Sequence, residues 1–183
     1  MNIHQLSVHH DERQDRLLLR LNTKDQQEFR FWLTRRMTLR LLPAIEKTAV
    51  RLESAQPGVA ATDAPAQHLL TEIKRDAFLQ QADFATPFDN HATQWPLGAE
   101  PLLITDAHLT IKQGGALEMA FEDKSDAAQV KSCQLHLQVS LVHGMVHLIR
   151  QASEKAEWGL SGITAIATEA SPAATSEPPR YAH

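Results

Sequence analysis

Apolar residues occupy alternate positions in six separate stretches of this chain. Leu6 and Val8 begin the series, Leu17, Leu19 and Leu21 continue it, and Phe29, Phe31 and Leu33 close a first set of three. The second set runs through Leu103, Thr105, Ala107, Leu109 and Ile111, then Leu117, Met119 and Phe121, then Cys133, Leu135, Leu137 and Val139. A period of two puts alternate side chains on one side of an extended strand. The intervening NTKDQQ, QGG and EDKSDAAQ are polar turn-formers. Each set therefore reads as three antiparallel strands with one apolar face, and such a face must be covered.

A helical pattern follows each set. Leu33, Met37, Leu41, Ala44, Ile45, Thr48 and Leu52 recur at three-four spacing, as do Leu141, Met145, Leu148 and Ala152, with Ser140 as the expected N-cap. Pro43 interrupts the first pattern. It either bends a helix running from about Thr34 to Glu53 or opens a shorter one, and the longer helix is the expectation. A third amphipathic helix is expected over PAQHLLTEIKRDAFLQQADF, with Leu69, Leu70, Ile73, Ala77 and Phe84 on its buried face.

The expected fold class is α+β, built as two βββα blocks, antiparallel sheets each packed on a helix, joined by a linker and the extra helix. The first block covers residues 1–54 and the second residues 102–160. Residues 55–66, rich in Ala, Pro and Gly, read as a flexible linker, and residues 161–183 as a disordered Ser/Thr/Ala/Pro tail. Residues 67–101 hold the extra helix and a long loop. The whole could still close into one compact domain.

Several function classes are disfavoured at once. No apolar run approaches the ~20 residues that span a bilayer, so no membrane is expected. The N-terminus lacks a basic head followed by an apolar stretch, and the single cysteine cannot pair internally. Both features point to the cytoplasm. No GxSxG, Walker A or GxGxxG pattern occurs. No catalytic residue and no cofactor are therefore assigned. His143 and His147 stand four apart on what reads as an exposed helical face, a spacing that could hold a metal ion. The intervening residues do not supply the glutamate of the HExxH pattern, and Arg150 follows one turn later.

Charge is unevenly spread. The first 54 residues carry ten Lys/Arg against seven Asp/Glu, the remainder eight against fifteen. If Phe29 and Phe31 face inward, Arg30 and Trp32 face outward, beside Arg16, Leu18 and Arg20 of the neighbouring strand. Arginines neutralise phosphate and a flat indole stacks on a base. Arg36, Arg40, Lys47 and Arg51 add a stripe along the helix, with Glu46 and Glu53 near enough to neutralise part of it. The second sheet's outward residues are acidic to neutral (Asp106, His108, Glu118, Glu122, Gln134 and His136) and could dock on the basic face. Phe88, Trp95 and Leu97 in the long loop form a candidate partner-contact surface, or else fold back onto the core. The expected function is a non-enzymatic interaction module, acting on a protein partner or another copy of itself. Binding of single-stranded RNA or DNA through the basic, Trp-bearing sheet face is the alternative.

Overall fold

The computed structural model describes residues 2–54 and 64–159. Most of the expected linker and all of the expected tail lie outside these residues. Strands β1 (Ile3–Asp11), β2 (Arg16–Thr23) and β3 (Glu28–Thr34) form an antiparallel meander, and the two-residue β4 (Leu102–Leu103) joins β3 in parallel. Strands β5 (Asp106–Lys112), β6 (Ala116–Asp123) and β7 (Lys131–Gln138) form a second antiparallel sheet. Three helices complete the α+β fold: α1 (Arg35–Ser54), α2 (Ala64–Gln81) and α3 (Val139–Lys155). The expected linker ran to Ala66, but α2 already begins at Ala64. Pro43 lies inside α1 on its exposed face. At the β5–β6 hairpin, Gly114 and Gly115 adopt φ of +92° and +80°, a region open to glycine at little cost.

The helices do not cover the sheets in the expected way. α3 packs chiefly on β1 of the first sheet, and α1 reaches β5 and β6 of the second. The cause is the junction. β3 ends at Thr34 and α1 begins at Arg35; β7 ends at Gln138 and α3 begins at Val139. With no residue left for a turn, neither helix can fold straight back over its own sheet. Each runs on toward the other one. The inner faces of both sheets meet in a single buried cluster, where the Phe31 and Phe121 rings contact edge to face at 5.3 Å. Such a pair adds about 0.5–1.5 kcal/mol beyond the area it buries.

The segment expected as one strand, Leu103 to Ile111, is two. Leu102 and Ile104 are buried, then the inward phase shifts to Ala107 and Leu109. The chain changes sheets at this point. The Ile104 amide donates to the Trp32 carbonyl of the first sheet at 3.0 Å, and the next amide, Thr105, donates to the Glu122 carbonyl of the second at 2.9 Å.

Helix faces also differ in detail. Leu41, Leu42, Ile45, Ala49 and Leu52 are the buried face of α1, while Ala44 is exposed. Gln138 rather than Ser140 precedes α3, without a side-chain cap. α2 is rotated from expectation: Thr71 is buried, whereas Leu69 and Ile73 are 59% and 57% exposed.

Candidate functional site

Period two fixes the sides of the first sheet as expected. Phe31 and Leu33 are fully buried and Phe29 nearly so, while Arg30 and Trp32 face the other way and are half-buried. The register sets rows across the outer face: Ser7 beside Arg20 beside Arg30, then His9 beside Leu18 beside Trp32, then Asp11 beside Arg16 beside Thr34.

The long loop after α2 occupies much of this face. It leaves α2 near Phe84, whose ring meets that of His147 on α3 at 5.0 Å, and passes around the β1 edge. Gln5 grips it at two points, donating to the Pro87 carbonyl at 3.4 Å and accepting from the Asp89 amide at 2.8 Å. Asn22, buried, donates to the Asp89 carbonyl at 3.2 Å. The Arg20 guanidinium lies 4.3 Å from the Phe88 ring centroid. Its Nε donates to Glu28 at 2.6 Å, and its Nη2 donates to Asn90 at 2.7 Å. Further along, Arg30 donates to the Ala99 carbonyl and lies 5.9 Å from the Trp95 ring centroid. Glu28 and Gln26 close the latch through backbone bonds to Gln94 and Thr93.

Two candidate surfaces singled out separately in the sequence are therefore one assembly. Arg20 and Arg30 are held by the loop that carries Phe88 and Trp95. Phe88 and Leu97 are half-buried, and Trp95 stays 48% exposed. Arg16, Leu18 and Trp32 lie on rows to which no loop hydrogen bond reaches. Gln5, Asn22 and Glu28 continue the outward alternation of their strands, but that alternation does not say what they meet, and Asn90 in the loop belongs to no periodic pattern.

The helix arginines stand apart from that face. Arg36, Arg40, Lys47 and Arg51 are exposed on one side of α1. The two glutamates expected to neutralise them turn away to α3. Glu46 accepts from Arg150 at 2.6 Å, and Glu53 meets His143 Nε2 at 2.7 Å. His143 is thus buried, not exposed as its spacing suggested, and it is committed to Glu53. The His147 ring meets that of Phe84 in a tilted contact, with the planes 44° apart. Among the described residues, no group of three or more His, Cys, Asp or Glu side chains is placed to hold a metal ion.

Asp106, Glu118, Glu122 and His136 of the second sheet are engaged locally, not with the basic face. Glu118 lies 2.9 Å from both Lys112 and His136, and Lys124 bridges Glu122 at 2.6 Å and Asp106 at 3.8 Å. The hydrogen bond from Lys112 holds the Glu118 carboxyl below the usual range. A groove of about 670 Å³ lies between β1, α3 and the start of the loop, with Leu6, Val8, Phe78, Phe84, Leu141 and Leu148 on its walls.

Cys133 sits inward on β7, and burial pushes its thiol up to about 11. The reactive thiolate is therefore suppressed near neutrality. Iodoacetamide at pH 8 is expected to label the native protein slowly and the urea-unfolded protein fully. Equal rates in both states would show that β7 does not shield the sulfur.

No helix among the described residues is long and apolar enough to cross a membrane. No family model, curated protein or solved structure matches the chain.

Proposed function

We propose that the protein is an interaction module that associates with a second copy of itself through α2. One observation carries the reading: the outward ridge of α2. Leu69 and Ile73, more than half exposed, stand one turn apart, with Ala77 exposed one turn further on. The opposite side of the helix is anchored by Thr71, Lys74 and Phe78, so the ridge is held in water by the fold. Two exposed large aliphatic side chains at i, i+4 are the anchor pattern of helix–helix docking. A ridge on one helix can also meet its own copy about a two-fold axis, the commonest symmetry of oligomers. The common order of the two strand–strand–strand–helix units, each helix crossing to the other sheet, supports reading the chain as a duplicated unit. A cytoplasmic setting suits its one unpaired, buried thiol.

The outer sheet face supports single-stranded nucleic-acid binding less well. Two of its three arginines already contact aromatic rings and carbonyls of the loop.

Light scattering at tens of micromolar is expected to give a dimer mass that falls to the monomer mass in Leu69→Glu/Ile73→Glu. A monomer at these concentrations, or a dimer indifferent to both substitutions, would remove the reading.

A further inference from the structure

One side of α1 carries cations and no acid. Arg36, Arg40, Lys47 and Arg51 are all exposed, and among the described residues none of the four has an ion-pair or hydrogen-bond partner. Helical rise of 1.5 Å per residue sets them about 6, 10 and 6 Å apart, over about 22 Å in all. Their natural counter-charges have been withdrawn, since Glu46 is bound to Arg150 and Glu53 is buried against His143. The fold leaves a row of four positive charges in water.

We infer that this row binds the phosphate backbone of a nucleic acid, without reading its bases. The chemistry between the charges decides the class of ligand. Protein interfaces need an apolar centre depleted of charge, and here only Pro43 and Ala44 lie exposed within the row. The half-exposed indole of Trp32 lies on the outer sheet face, so the row has no aromatic group of its own on which to stack a base. Binding is left to charge alone, distributed along a line, and a phosphate backbone presents regularly spaced negative charge in that form. Three of the four cations are arginines, whose fork of donors matches phosphate oxygens. This site is independent of the α2 ridge.

The test is fluorescence anisotropy of the full chain with a labelled DNA duplex and a labelled single strand of equal length, from 50 to 200 mM salt. Four phosphate contacts predict a log–log salt slope of about −3.6 on the duplex and about −2.8 on the single strand. Duplex affinity is then expected to fall about 150-fold across that range. Arg36→Gln/Arg40→Gln/Lys47→Gln/Arg51→Gln keeps good helix formers at exposed positions. It is expected to abolish binding while leaving far-UV circular dichroism unchanged. No binding at 50 mM, binding unaffected by the four substitutions, or capture of poly-glutamate in preference to either oligonucleotide would each overturn the inference. The last of these would mark an acidic protein as the ligand.

Discussion

Phe31→Ala is expected to lower the unfolding free energy by about 3–5 kcal/mol. The ring is fully buried at the centre of β3 and contacts Phe121 of the other sheet. Its removal takes away apolar burial and one half of an aromatic pair together. Relaxation cannot fill the gap readily, because β3 is held between β2 and β4 and its neighbours Leu19 and Leu33 are themselves fully buried. Against a typical total of about 5–15 kcal/mol, the loss is a large fraction of the fold's stability. Urea unfolding followed by tryptophan fluorescence measures it. A cost below about 1 kcal/mol would mean that the two sheets do not pack through this ring.

The second large effect belongs to the junction of the three helices. Glu53 of α1 and His143 of α3 are both buried, and Lys74 of α2 reaches within 3.6 Å of the other Glu53 oxygen. That distance compensates charge but is too long for a hydrogen bond, and the Glu53 Oε2 has none. His143→Ala leaves the carboxylate buried with only this distant partner. A loss of about 3–5 kcal/mol is expected, mainly from the stranded charge. Removing both polar groups tells the mechanism apart from simple loss of packing. Glu53→Met/His143→Leu fills the same space without charge and is expected to recover most of the stability. A double variant no more stable than His143→Ala would show that the pair itself, and not the unpaired acid, carried the energy.

Strand directions and turns were readable in the sequence because they rest on a period of two over a few residues. Phe29, Phe31 and Leu33 point inward and Arg30 and Trp32 outward for that reason alone. The latch was not readable. Its bonds join Gln5 to Asp89 and Arg20 to Asn90, pairs 84 and 70 residues apart, and the alternation that turns Gln5 and Arg20 outward does not specify a partner so distant in sequence. The rotation of α2 and the burial of His143 failed together. Hydrophobic spacing favoured Leu69 and Ile73 inward and His143 outward, but Glu53 contacts His143 at 2.7 Å and Lys74 at 3.6 Å, which places the His143 and Lys74 sides of their helices toward α1. A buried acid with partners on two other helices brings His143 into the interior of α3, whose buried face otherwise stays apolar through Val142, Met145, Val146, Ile149 and Ala152.

The crossing of the helices also sets a schedule for synthesis. The inner side of β1, with Leu6 and Val8, is covered chiefly by α3, which is made last of the described elements. At ribosomal speeds of about 5–20 residues per second, the wait for α3 is roughly 6–25 s. Until then β1 lacks its cover, so the shared core is expected to close only once the last helix has been made.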